Sequence, residues 1–534
     1  MSPVAPARRD RVALHLLQLG AVAVVLAAVP YKAFDLDRYF VPKELVLNAC
    51  AALTALLLVS KRKQLSLTSA DMWLAAFLFS STVSALLAIN LWAAERALAV
   101  SLSGAALFWV TSTLRREGLV RSLVAALSFG IVVGAATSLL QAYGIQSEYF
   151  SLNRVPGGTF GNRNFVGHLC AIGTPVLILS ALTAKRGVAS VLGGIGLGIV
   201  SAALVLSRSR AAWLAVLALA VPVTLLALWT RSRWAEARTL RRLTVLGASA
   251  AVGVGAAVLL PNRLEWRSEN PYLESAAGLV NYREGSGHGR VIQYTNSLRI
   301  TEAHPVFGVG PGNWPVVYPK YAVRNDPSMA QEDGLTANPW PSSDWIAILS
   351  ERGALGAAFL LLTFIALAWR ALRELRASEG HNPERVLTAI AFIGTLAATA
   401  IVGAFDAVLL LAVPTFFVWT LAGALSPPVP GRFSFESGVG KYLPALVLVL
   451  GVVTVGRSAF QLAAMSVVNA SSRTSLLERA SAFDPGSYRI HMRLANAYIA
   501  RGDCRVAFHH YMSANAMFPN AGEPKRMIAR CGGR

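Results

Sequence analysis

Thirteen apolar runs, each close to the length of a bilayer-spanning helix, constrain this chain more than any other feature. A helix crosses the hydrocarbon core with roughly 20 predominantly apolar residues. Runs of that kind fall at 14–30, 44–60, 72–89, 96–113, 119–140, 164–183, 189–206, 211–229, 243–260, 345–369, 386–405, 407–425 and 443–460. They predict an all-α polytopic membrane protein with about 12–13 transmembrane helices. The first run is too long for a cleaved signal peptide and lacks a clear small-residue cleavage site, so it reads as a span. Composition agrees. Of the 534 residues, 54% are hydrophobic and 14% charged, whereas a soluble domain carries about 25% charged residues. The net charge of +21 invites a nucleic-acid reading. A groove binder, however, clusters basic side chains on a soluble surface, and this chain has too few charges for that. No nucleic-acid partner is expected.

The basic residues instead report topology. With the N-terminus in the cytoplasm, the segments 1–13, 61–70, 114–121, 184–188, 230–242, 370–386 and 426–442 hold 22 Lys/Arg against 7 Asp/Glu. That excess is what the positive-inside rule requires. Three pieces then lie on the far side: a loop at 141–163, a large loop at 261–343 with 7 basic and 8 acidic residues, and a tail at 461–534. Structureless loops beyond about 15 residues are uncommon, so the large loop, rich in Trp, Tyr and Pro, is expected to be ordered. The expected division is a transmembrane domain over 1–460, which includes that loop, and a separate tail over 461–534.

In the tail, Leu494, Ala495, Tyr498, Gly502, Ala507, Tyr511, Ala514 and Pro519 fall at the offsets of one tetratricopeptide repeat. A generic helical hairpin is the other reading. One repeat cannot bury its own face, so the tail is expected to dock on the large loop, the membrane domain or an envelope protein partner. Four cysteines exclude a disulfide scaffold, and none has zinc-ligand spacing; no metal or cofactor is expected. Cys504 and Cys531 lie together in the tail, where a disulfide is a hypothesis, while Cys50 and Cys170 lie within spans.

Four clusters carry candidate chemistry. Ser207-Arg208-Ser209-Arg210 fills a tight outer turn, where arginines run against the topological bias. Guanidinium groups bind phosphate in a bidentate fork; the alternative is arginines reaching lipid headgroups. Gly157 to Asn164 precedes the sixth span, where Asn162 and Asn164 are placed to cap a helix whose amides face an anion. Gly289-Arg290 opens a helix-like stretch with Asn296, Arg299 and Glu302, and leads to His304-Pro305-Val306-Phe307-Gly308-Val309-Gly310-Pro311-Gly312-Asn313-Trp314, which lacks the Lys-Ser/Thr ending of a Walker loop. Last, Pro341 to Trp345 and Ser350 to Gly353 mark the return to the membrane, with Asp344 and Glu351 open to a structural reading as cap and ion-pair member.

Together these segments resemble the O-antigen ligase and polymerase superfamily of bacterial envelope glycosyltransferases. The resemblance rests on Phe160-Gly161-Asn162-Arg163-Asn164-Phe165, on Ser209-Arg210, on Arg290 followed by Pro305 to Asn313, and on Glu351-Arg352-Gly353. It implies a GT-C-like, metal-independent enzyme, multi-pass in the bacterial inner membrane, with the large loop and tail in the periplasm. Its donor would be a glycan on undecaprenyl pyrophosphate. The acceptor would be lipid A core in a ligase, a growing glycan in a polymerase, or a protein side chain in a protein-glycosylating relative. Departure of the lipid pyrophosphate builds negative charge that fixed arginines would stabilise. The resemblance therefore implies catalytic roles for Arg210 and Arg290, and substrate-binding roles for Arg208, Arg163, Asn162, Asn164, Gly310 and Asn313. One departure stands out. The ligases place a histidine where this chain has Ser342, and serine cannot serve as a general base near neutral pH. Asp344, His304 or His288 are the candidate substitutes. The departure strengthens the polymerase and other-acceptor alternatives. A transporter reading is weaker, because the spans are nearly free of charge and show no clear repeat. An inert membrane scaffold is supported only by the missing histidine.

Overall fold

The computed structural model describes residues 7–59, 64–266, 268–278, 283, 285–330, 334–377, 382–428, 433–436 and 441–532. Every apolar run forms a helix. The first nine are α1 Arg8–Leu26, α2 Asp37–Val59, α3 Ser69–Leu86, α4 Leu91–Arg116, α5 Val120–Ala142, α6 Arg163–Leu182, α7 Gly187–Ser207, α8 Arg210–Trp229 and α9 Ala237–Leu259. The large loop carries α10 Pro271–Ala277, α11 Gly285–Ala303 and α12 Trp314–Val317. Four more apolar helices follow: α13 Asp344–Ala377, α14 Pro383–Phe405, α15 Ala412–Leu425 and α16 Leu443–Ala470. The tail is α17 Thr474–Phe483, α18 Tyr488–Ala500, α19 Cys504–Met517 and α20 Gly522–Gly532. Among the described residues, 11 helices are long and apolar enough to cross a membrane. The two other apolar helices differ for visible reasons: α1 opens on Arg8, Arg9, Asp10 and Arg11, and α15 has 14 residues.

Packing follows from residue size. Every residue of α15 is buried, so this uniformly apolar helix is enclosed by protein, with Trp419 edge-on to Phe108 of α4. Between α7 and α9 the backbones nearly touch. A Cβ on Gly253 would lie 2.1 Å from the carbonyl oxygen of Gly198, the small-residue contact through which membrane helices gain van der Waals packing. α13 is really two helices. At Gly353 the backbone takes φ 68°, ψ −176°, a region open essentially to glycine alone.

The two ends of the bundle differ. At one, β1 Gln64–Leu67 pairs antiparallel with β2 Phe433–Glu436, Gln64 opposite Glu436. There Arg242 donates to the carbonyl of Leu182 (2.6 Å) and Arg115 to that of Ala424 (3.1 Å), so cations meet the electronegative C-termini of α6 and α15. At the other end lie the α1–α2, α3–α4, α5–α6, α7–α8 and α14–α15 connections, the large loop and the tail. Contacts such as Asn90 with Asn313, Asn164 with Asp406, and Arg489 with Asp35 tie them together.

In the tail, Leu494, Ala495, Ala507, Tyr511 and Ala514 are fully buried. These are positions singled out by the repeat spacing. Cys504 and Cys531 form a disulfide, with Cα atoms 5.4 Å apart. The tail docks on the large loop: Phe518 packs against the Ile300–Trp314–Tyr318 cluster, and Asn520 donates to the Val316 carbonyl at 2.9 Å.

Candidate functional site

The N-terminus of α6 is the hub of the loop end. Asn162 caps the helix, its side-chain oxygen accepting the Asn164 amide at 3.0 Å, which stabilises the helix by about 1 kcal/mol. Asn164 itself does not cap; its amide donates to Asp406 Oδ2 at 3.3 Å. One turn on, Gly167 lets α6 approach the Ser207–Arg210 turn so closely that a Cβ there would lie 2.7 Å from the Ser207 hydroxyl.

This contact brings three arginines together. Arg163 and Arg208 both lie over the ring of Trp266, at 5.5 and 4.7 Å from its centroid. Arg208, in the left-handed conformation at φ 48°, also donates to the Ser275 hydroxyl (2.7 Å) and to Glu274 (3.2 Å). Arg210 donates to the carbonyl of Gly278 at 2.7 Å. The short helix α10 is thereby strapped over the guanidinium groups.

Arg290 comes to the hub from α11. It acts electrostatically on His168 of α6. Four residues on, and so on the same helical face, Tyr294 donates to the Ser342 carbonyl (2.5 Å) and lies 3.1 Å from that of Ala404. Gln293 accepts the Ser342 amide at 2.7 Å. α11 is therefore pinned between the end of α14 and the start of α13, and Ser342 is held through its backbone.

Other expected site residues have different surroundings. Asp344 is fully buried, and its carboxylate accepts the amides of Val408 (3.0 and 3.1 Å) and Leu409 (2.9 Å). This is a cap on the α14–α15 turn rather than an open base. His304 is exposed at the far end of α11, roughly 20 Å along the helix from Arg290 at 1.5 Å per residue. His288 is exposed, two positions before Arg290. Gly310 abuts Ala88. Asn313 is fully buried, bonded to the Asn90 amide (2.8 Å) and carbonyl (3.0 Å). Both tie the large loop to the α3–α4 turn. Glu351 ties the same loop to α13, accepting the Trp314 amide at 3.1 Å through its carboxylate. Arg352 donates to the Ser101 hydroxyl at 2.8 Å. In the same loop Asn296 donates to Asp326 at 2.9 Å. Burial and the Asp326 carboxylate push the Tyr318 phenol above its ordinary range. The glycine-rich segment is thus a structural seam, and the arginines form a separate group.

Four residues at the hub were not singled out as site residues from sequence: Trp266, Tyr294, His168 and Asp406. His168 and Asp406 carried a faint signal, a lone histidine in an apolar span and a lone acid in a short turn. Among the described residues, no three His, Cys, Asp or Glu side chains form a metal-binding group.

Residues 195–361 match the family model described as O-antigen ligase, the superfamily to which the sequence motifs pointed. The matched segment contains Arg208, Arg210, Arg290 and the α13 break, and stops short of Asp406. It supports a role in glycan transfer in O-antigen or surface polysaccharide biosynthesis. No curated protein matches the chain.

Proposed function

We propose that this protein transfers a glycan from undecaprenyl pyrophosphate to an acceptor hydroxyl at the loop end of the bundle, without a metal. One observation supports the reading: Arg163, Arg208 and Arg210 gather at the α6 N-terminus, and the Arg290 charge reaches His168 of the same helix. As the bond from the anomeric carbon to the pyrophosphate breaks, charge grows on the leaving oxygens. Fixed guanidinium groups stabilise it more strongly than water does. In this reading Arg210 and Arg290 contact the leaving pyrophosphate, Arg163 and Arg208 hold its distal phosphate, and Asn162 and Asn164 set the helix end against it. Asp344, Gly310 and Asn313 position the surrounding chain, and His304 has no part. The loop end faces the periplasm of a bacterial inner membrane. Residues 1–460 form the transferase and 461–534 a tetratricopeptide-like tail that braces the large loop.

Arg210→Ala and Arg290→Ala are each expected to lower glycan transfer at least 100-fold while leaving the amount of protein in the membrane unchanged. Transfer from a lipid-pyrophosphate-linked glycan by the purified protein is the measurement. Full activity in both variants would remove the clamp. Ser342 favours a second acceptor class, because its position supplies no base for lipid A core ligation. Surface polysaccharide from a deletion strain separates the acceptors. Polymer left on the lipid carrier indicates ligation, single-unit glycans indicate polymerisation, and unmodified proteins indicate protein glycosylation.

A further inference from the structure

The hub holds one ionisable pair that the arginine clamp does not use. His168 lies within the span formed by α6, is 0% exposed, and has neither ring nitrogen hydrogen-bonded. Buried polar atoms in native proteins are paired with few exceptions, and each exception calls for a reason. An ionisable side chain inside a span is expensive to keep and marks function by default. The imidazole is not isolated, however. Its Nε2 lies 3.7 Å from Oδ2 of Asp406, at the C-terminus of α14. Asn164 and His168 are four residues apart on one face of α6, and both address that same carboxylate oxygen. The other oxygen, Oδ1, accepts the Ala407 amide at 2.8 Å, which fixes the carboxylate plane.

Exposure separates the two groups. The Asp406 side chain keeps 13% of its surface open while that of His168 keeps none. The carboxylate is thus the edge a substrate can touch, and the imidazole stands behind it. Phe165 lies 6.0 Å from the His168 ring and 6.2 Å from Trp340, and this aromatic wall shields the histidine. Arg290 acts on the histidine electrostatically, so the pair lies within electrostatic range of a guanidinium assigned to the leaving pyrophosphate.

We propose that Asp406, backed by His168, is the proton acceptor for the incoming hydroxyl; this rests on the glycan-transfer reading above. The hydroxyl oxygen forms a bond to the anomeric carbon as the bond from that carbon to the pyrophosphate oxygen breaks, its electron pair leaving with the pyrophosphate. The hydroxyl proton passes to Asp406 Oδ2, with the His168 imidazole 3.7 Å behind that oxygen. Asp406 is the catalytic residue here. His168 and Asn164 are positioning residues that orient its oxygen.

The test is steady-state transfer by the full-length protein in membranes, with a lipid-pyrophosphate-linked glycan as donor. Asp406→Asn keeps the shape and the Ala407 contact but removes the base. It is expected to lower kcat at least 100-fold, with the donor KM within about threefold of wild type. His168→Leu is expected to accumulate normally, because it removes two buried nitrogens that make no hydrogen bond, and to lower kcat at least tenfold. Wild-type kcat in either variant overturns the proposal, and so does failure of His168→Leu to accumulate, which would make the ring a packing element. The clamp is judged separately. If Arg290→Ala abolishes transfer while Asp406→Asn and His168→Leu keep it, the dyad is lost and the glycan-transfer reading stands. If the wild-type protein transfers nothing from the donor, the reading itself is wrong.

Discussion

Trp266 shows how a single residue can organise charge. Arg163 and Arg208 carry like charges yet share its indole ring, at 5.5 and 4.7 Å. The negative ring face offsets part of their repulsion and holds both at a fixed spacing, a geometry suited to an anion with two phosphates. Each such contact stabilises by about 0.5–1 kcal/mol at a partly exposed site. Trp266→Ala is therefore expected to raise the donor KM roughly tenfold, with a smaller effect on kcat. An unchanged KM in transfer assays would show that the indole is only packing. The same scale explains the seam residues. Asn313 and Asp344 are each fully buried with their polar atoms bonded to backbone groups, so neither faces an open site where an acceptor could reach it. Nothing in their residue type distinguishes this from catalysis; only the partners do.

Among the elements, α13 and the tail pair α18–α19 make the sharpest cases. The α13 break puts Gly353 against the loop, where a Cβ would lie 2.2 Å from the Val306 carbonyl oxygen. Gly353→Ala adds that clash to about 1–3 kcal/mol of backbone strain. Thermal unfolding in detergent should begin several degrees lower, and an unchanged melting temperature would contradict the geometry. In the tail, His491 and His510 face each other through Nδ1 atoms 3.1 Å apart, while His491 Nε2 lies 3.0 Å from the Pro485 carbonyl. His491 Nε2–H donates to that carbonyl, so its Nδ1 must accept from His510. Protonating both rings would set two N–H groups against each other. Burial lowers both imidazoles below the ordinary 6.5, and the neighbouring His491 lowers His510 further. A lowered histidine means the folded tail binds protons less readily than the unfolded chain. Its stability is therefore full above about 6.5 and falls as pH drops through the window below that value. Hydrogen-exchange protection factors of α18 and α19 should fall between pH 7.5 and 5.5 in the intact protein. Equal protection at both values would mean the pair carries no such linkage.

At the scale of the whole molecule, the tail, the large loop and the α1–α2 turn form one surface. Phe518 and Asn520 join the tail to the loop, and Arg489 meets Asp35 at 2.6 Å. Phe518→Ala combined with Asn520→Ala should loosen this docking and speed tryptic cleavage at Arg473, between α16 and α17. Cleavage at the wild-type rate would mean that the remaining contacts, Arg489 with Asp35 among them, hold the tail. Much of this architecture was legible in the chain itself. The thirteen apolar runs are local, each set by its own length and hydropathy, and all formed helices. Five of the eight tail positions read from the repeat spacing, Leu494, Ala495, Ala507, Tyr511 and Ala514, are fully buried. Hydropathy misjudged the ends of spans: α2 and α4 start earlier than their apolar runs, which brings Asp37 into the bundle beside Glu44 and Arg96, the first residues of the two runs, joined by ion pairs of 2.8 Å. A window of single residues counts those charges as cost, whereas the fold lets them cancel. The candidate site was legible only in part. Arg208 and Arg210 stood out as exceptions to the charge pattern expected of the loops, and Arg290 because it precedes the glycine-rich stretch Pro305 to Asn313. His168 and Asp406 are 238 positions apart and belong to separate helices. Their pairing, like the capping role of Asp344, depends on which helix ends meet. Sequence by itself determined the helices and their alternating ends, because those follow from local apolarity and charge. Only the tertiary structure decided which polar side chains face a possible substrate and which are committed to backbone, because that choice depends on contacts between distant segments.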